Sequence, residues 1–189
     1  MEASRRLAEL LTAAGRSQDA LRYTRRDDAV TERINAVFWD ESLRLYRAAT
    51  VQCREGDVWG SAFAVWLGVA PAERADKLAA GFKANHGGLT QKGQIRHTPP
   101  GVYGEQGCGR DTYQNGGFWA TPVGWYAYTL NRADPAMANQ TLIDMVNDFA
   151  KRGVGEWVFG EKVALPGGYM SSATLPLAGM RRLQAERTK

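Results

Sequence analysis

Cysteine and histidine are scarce in this chain, with two of each among 189 residues. Cys53 and Cys108 stand far apart with no ligand spacing around them, which argues against a zinc site and against a disulfide framework. His86 and His97 have no neighbours that make a Ser-His-Asp or Cys-His arrangement. Neither a metal nor a cofactor is expected. Long apolar runs are missing too, since no segment approaches the roughly 20 consecutive apolar residues of a membrane helix. Residues 1–11 carry Glu2, Arg5, Arg6 and Glu9 in an amphipathic pattern and do not read as a signal peptide. The expectation is a soluble, cytoplasmic chain with no membrane partner. Concentrated charge is also lacking. The 24 basic and 20 acidic residues leave +4, and the basic ones are scattered in short pairs such as Arg25-Arg26 and Arg181-Arg182. A nucleic-acid binder gathers its positive charge on one face, so no nucleic-acid partner is expected.

What is present is helical periodicity in a chain 44% hydrophobic, enough for one cored domain over residues 1–189. Leu7, Leu10, Leu11 and Ala14 recur at helical spacing over residues 2–14, and a second amphipathic pattern runs over 18–39 through Leu21, Val30, Ile34 and Val37. The character then changes. Asp57 is a good cap for V-W-G-S-A-F-A-V-W-L (58–67), which is apolar on every side and therefore predicts a helix buried all round. Pro71 starts an amphipathic helix with Ala75, Leu78, Ala79 and Phe82 in one stripe, stopped at Gly87. The pair recurs: Thr121-Pro122 opens a short apolar helix through Leu130, and Pro135 opens an amphipathic one to Arg152. A last helix lies within 171–186, with Pro176 in its first turn or at a kink. Alternating apolar and amphipathic helices predict two packed layers with the apolar members inside. Strand is expected only as decoration, around 43–51 and 94–97.

The connections are unequal. Residues 68–71 and 131–134 make tight turns, whereas 87–120 and 153–170 are long and rich in glycine, polar and aromatic residues, and long loops in a compact domain are usually functional. Within them, D-T-Y-Q-N-G-G-F-W-A-T-P-V-G-W (111–125) interleaves hydrogen-bonding groups with aromatic rings. Sugars present hydroxyls at their edges and C–H groups on their faces, so this composition suits a carbohydrate.

The segments Y-Q-N-G-G-F-W-A-T-P-V-G-W (113–125), Q-I-R-H-T-P (94–99), G-V-G-E-W-V-F-G-E (153–161) and G-Y-M-S-S-A (168–173) resemble the C-terminal half of six-hairpin glycosidase catalytic domains, bacterial alpha-L-rhamnosidase-like enzymes in particular. The resemblance covers residues 34–180 in order. It implies an all-α fold, a partial (alpha/alpha)6 toroid of stacked helical hairpins with long loops at one end. It also implies inverting hydrolysis of a glycosidic bond by a carboxylic acid and a carboxylate base. By position Glu156 matches the base, and the acid has no counterpart. The helices above are too few to close a six-hairpin toroid, so the chain reads as half of one, either a fragment of a longer chain or a homo-oligomer that covers the exposed apolar edge.

On the residues themselves, Glu156 sits in an uncharged stretch beside Trp157, where burial suits a catalytic carboxyl; a cap or ion pair near Arg152 is the plain alternative. Asp111 and Glu105 are the candidate second carboxylates, against the ordinary role of ordering a loop. Tyr113, Gln114, Asn115, Trp119, Trp59, His97 and Trp157 are the candidate sugar contacts, with core packing or an Asn-Gly turn as the alternatives. The expected partner is a carbohydrate. A sugar-binding module without chemistry, or a polysaccharide lyase using Tyr113 and His97, are the competing readings.

Overall fold

A computed structural model describes residues 1–104 and 108–188. The chain divides into two compact units, Met1–Trp39 and Asp40–Lys189.

The first unit is a helical hairpin in which α1 (Glu2–Ala13) packs on α2 (Ser17–Val37). It buries Ala8 and Ala20, small residues that let helix backbones approach. Arg5 holds Asp27 through Nε at 3.2 Å and Nη2 at 3.0 Å, a two-pronged contact that pins one helix to the other.

β1 (Trp39–Asp40), which starts on the last residue of the first unit, and β2 (Leu45–Tyr46) form a two-stranded ribbon before α3 (Val58–Trp66) of the second. Then follow α4 (Ala72–Ala84), the single turn α5 (His86–Leu89), β3 (Thr90–Gln91) and β4 (Gln94–Arg96). The remainder is β5 (Phe118–Trp119), α6 (Val123–Leu130), α7 (Pro135–Arg152), β6 (Val158–Phe159), β7 (Lys162–Val163) and α8 (Met170–Arg187). The apolar α6 is the centre: α3, α4, α7 and α8 all pack on it. Its Val123, Tyr126, Ala127 and Leu130 are fully buried. Its closest approach is to α8. A Cβ on Gly179 would lie 2.3 Å from the Gly124 Cα, so the two helices touch backbone to backbone and only glycine fits at the crossing. Pro176 lies inside α8 and is buried.

The all-α partial toroid expected from sequence is overturned. The fold is mixed, 56% helix and 11% strand, with a curled five-stranded antiparallel sheet in the order β3-β4-β5-β6-β7. The physical reason is in the long connections. Loops that cross buried surface must pair their backbone N–H and C=O groups, and segments rich in Ile, Phe, Trp and Val do so as strands. Ile95 lies opposite Trp119, Arg96 opposite Phe118, and Phe118 opposite Val158. The β3–β4 hairpin turns through Lys92 (φ 52°) and Gly93 (φ 72°), and a Cβ at Gly93 would meet the α7 backbone at Thr141 O, 2.3 Å away. No helix among the described residues is long and apolar enough to cross a membrane.

One buried polar link ties α4 and α5 to the central helix. The Tyr126 ring stacks on Phe82 at 4.7 Å, its hydroxyl donates to the Phe82 carbonyl at 3.3 Å, and His86 Nδ1 lies 3.1 Å from the same hydroxyl. Burial pushes the Tyr126 phenol well above its ordinary range. Burial likewise lowers the His86 pKa below 6.5, outweighing the opposing pull of Asp144 and Asp134. A histidine of depressed native pKa binds fewer protons folded than unfolded, so stability rises with pH through that window and falls as pH drops below about 6.5. Urea midpoints measured from pH 7 to pH 5 are therefore expected to decline, and His86→Gln is expected to flatten the decline. An unchanged slope in that variant would assign it to other groups.

Candidate functional site

The first turn of α3 supplies one wall. Asp57 caps it, its Oδ1 accepting from the Gly60 N–H at 2.7 Å, and the same carboxylate oxygen lies 3.3 Å from His97 Nε2. His97 is fixed from its backbone as well, since its carbonyl accepts from the Val58 N–H at 2.9 Å. Trp59 then stacks a tilted ring on His97 at 4.7 Å and donates its indole N–H to the Ile95 carbonyl at 3.2 Å. The carboxylate and imidazole are thus each held by two contacts at the start of a helix, where the helix dipole favours negative charge.

Trp119, at the end of β5, is the hub. It is 3% exposed, and three rings meet it edge-on: Trp59 at 5.6 Å, Tyr113 at 5.0 Å and Tyr169 at 5.8 Å. Such edge-to-face pairs add about 0.5–1.5 kcal/mol each beyond burial. Its indole N–H donates to the Tyr113 carbonyl at 3.1 Å. Tyr113 is 43% exposed and is the ring most open to solvent, whereas Tyr169 is half-buried as the residue that precedes α8. Near the starts of α6 and α8 the Thr121 and Ser171 hydroxyls lie 3.4 Å apart. The starts of α3, α6 and α8 therefore contribute to one aromatic cluster, called the mouth below, with hydroxyl, imidazole and carboxylate groups around it.

The turn carrying Tyr113 is stiffly built. Asp111 N–H donates to the Asn115 carbonyl at 2.8 Å and Asn115 N–H returns to Thr112 at 2.9 Å. Asp111 (φ 60°) and Tyr113 (φ 46°) both occupy the left-handed region, an arrangement that persists only where surroundings impose it and that clusters at binding sites. Asn115 imposes it here. Its Oδ1 accepts from Gly104 N–H at 2.9 Å and its Nδ2 donates to the Cys108 carbonyl at 3.0 Å. Asn115 is buried in this role and serves the loop rather than a ligand. Asp111 accepts the Tyr103 hydroxyl at 2.7 Å, so its carboxylate too is engaged within the loop. Gln114 lines a small cavity of about 20 Å³ with Glu55, His97, Thr98, Gly104 and Asn115, with room for about one water.

Glu156 stands at the base of the β6–β7 hairpin, its N–H donating to the Ala164 carbonyl at 2.8 Å. It is half-buried, and its carboxylate makes no hydrogen bond or ion pair with a described residue. Arg152, its alternative partner by sequence, is taken by Asp148 at 2.7 and 2.8 Å. Glu161 pairs instead with Lys92 at 2.9 Å, which lowers its carboxyl pKa. Trp157 is buried against the Tyr113 turn: a Cβ on Gly117 would come within 3.0 Å of its ring and 2.4 Å of the Tyr113 carbonyl. Glu156 is thus one residue away from a ring that supports the mouth. Glu105 lies outside the described residues.

The structure brings Trp59, His97, Tyr113 and Trp119 together, and places Trp157 behind them. Two members were missed from sequence. Asp57 reads as a helix cap, and only its spacing to Trp59 in D-V-W hints at more; Tyr169 sits in G-G-Y-M with no local signal beyond the neighbouring glycines. No three His, Cys, Asp or Glu side chains among the described residues are grouped to hold a metal ion. No family model matches the chain, and no curated protein is significantly similar to it.

The cap role of Asp57 is separable from its contact with His97. Asp57→Ala is expected to cost about 1 kcal/mol in urea unfolding, and Asp57→Asn much less, because asparagine caps about as well. Equal losses would mean that the His97 contact, not the cap, is what the carboxylate contributes.

Proposed function

We propose that this chain is a carbohydrate-active protein that binds a glycoside at the Trp59–Tyr113–Trp119–Tyr169 mouth and hydrolyses it with Glu156 as the water-activating base. The observation that carries the reading is the convergence of three aromatic rings on Trp119 beside the Asp57–His97 pair. The exposed Tyr113 ring and the half-buried Trp59 ring suit the C–H face of a pyranose, while the carboxylate, imidazole and nearby hydroxyls suit its hydroxyl groups. Glu156 supports the chemical half of the reading, because it is half-buried with its carboxylate uncommitted to any described residue. Inversion needs a general acid opposite that base, with the two carboxyl groups about 6.5–9.5 Å apart.

A second reading, a sugar-binding module without hydrolysis, is favoured by one observation. Asp111, an expected second carboxylate, is tied to the Tyr103 hydroxyl at 2.7 Å. A panel of aryl glycosides that includes an alpha-L-rhamnoside separates the two. Binding is expected to quench tryptophan fluorescence, with Trp59→Ala weakening it about tenfold. Turnover is expected to fall at least a hundredfold in Glu156→Gln while binding persists. Binding without turnover in the unaltered chain would favour the module, turnover untouched by Glu156→Gln would remove that residue from the mechanism, and no binding of any sugar would defeat both readings.

A further inference from the structure

Arg96 is a buried cation with no counter-ion among the described residues. It is 6% exposed at the end of β4, and its side chain makes one hydrogen bond to a described residue, from Nη2 to the Val102 carbonyl at 3.2 Å. Its Nε is sealed from solvent with no partner, and it forms no ion pair with a described residue. Nη1 makes no hydrogen bond with a described residue and is not sealed, so the guanidinium keeps one open edge. Its remaining contact is the Tyr103 ring, 4.7 Å below the guanidinium, and a second guanidinium, Arg110, lies 5.0 Å from the same ring. Asp111 takes the Tyr103 hydroxyl at the far end of that ring. A charge removed from water is costly unless it is paired. One cation–π contact and one carbonyl offset only part of that cost. An oxyanion at the unsealed Nη1 edge would partner this charge, and a carboxylate oxygen suits that N–H.

The site adjoins the mouth. Arg96 precedes His97 in the chain, Thr98 Oγ1 shares the Val102 carbonyl with Arg96 at 2.8 Å, and Thr98 and His97 line one small cavity with Gln114. Tyr103 and Gly104 are bonded to Asp111 and Asn115 of the turn that presents Tyr113. We propose that Arg96, with Arg110, receives the carboxylate of an acidic sugar, so that the glycan recognised at the mouth carries a uronic acid. This assignment rests on the glycoside reading above. Arg110, exposed on the loop, adds long-range attraction, and Arg96 supplies a hydrogen bond from its open Nη1 edge.

The test titrates the full chain with a uronate oligosaccharide and with the neutral oligosaccharide of the same linkage, by calorimetry at low and at high salt. The acidic sugar is expected to bind at least tenfold more tightly at low salt. That advantage is expected to vanish in Arg96→Gln and to shrink several-fold in Arg110→Gln, with neutral-sugar binding unchanged in both. Should Arg96→Gln fail to fold, the Arg110→Gln result and the salt dependence decide alone. Equal binding of the two sugars overturns the carboxylate assignment and leaves the glycoside reading standing. Binding of neither sugar defeats the glycoside reading; a saturable shift of the Arg96 Nε–H resonance in sodium acetate then still supports an anion site, and no shift overturns it. A Glu105→Gln variant that binds the anion where the unaltered chain does not also overturns the assignment, because the chain then supplies the carboxylate itself.

Discussion

The second unit depends on the burial of α6. A helix with apolar residues on every side has to be surrounded, and α3, α4, α7 and α8 surround it. Backbone contact between Gly124 and Gly179 fixes how close α8 comes, and the Tyr126 stack on Phe82 fixes α4. Once those distances are set, the starts of α3, α6 and α8 meet at one end, and the long loops are drawn over the exposed ends of the inner helices. The sheet is the consequence. Strands of two or three residues pair because the loops crossing that end cannot leave their backbone groups unbonded in the core.

The aromatic mouth inherits its rigidity from this arrangement. Trp119 is placed by strand pairing with Ile95, Trp59 by the first turn of α3 and Tyr169 by the start of α8. Three rings therefore arrive from three different elements, each fixed by its own hydrogen bonds or helix. Only Tyr113 rides on a turn, and that turn is held in a left-handed conformation by Asn115. A binding surface built this way loses little side-chain entropy on contact with a ligand, because its members are already ordered.

Much of the helical frame was legible in the sequence, since Asp57, Pro122 and Pro135 mark helix starts and the stripes through Leu78 and Leu142 give the buried faces. The sheet was not. Phe118–Trp119 and Val158–Phe159 are too short for a period of two to show, and their partners lie far off in the chain. The toroid expectation failed for that reason: the alternation of apolar and amphipathic helices is real, but it says nothing of what the loops between them do. At the site, residue type was informative and role was not. Asn115 and Asp111 have the chemistry of sugar ligands, yet their hydrogen bonds are consumed by the loop. Asp57 carries the opposite lesson, a cap that also faces the mouth through His97.

The central claim is that the rings around Trp119 are a recognition surface. The indole N–H groups of Trp59 and Trp119 donate to Ile95 and Tyr113, so both report directly on the walls of the mouth. Trp66 lies at the other end of α3, stacked against Tyr128 and Arg182, and serves as an internal control. Following the indole resonances by NMR during titration with an oligosaccharide is the most direct measurement. Saturable shifts of Trp59 and Trp119 with Trp66 unmoved are the predicted result, and shifts confined to Trp66, or none at all across the sugars tried, would contradict it.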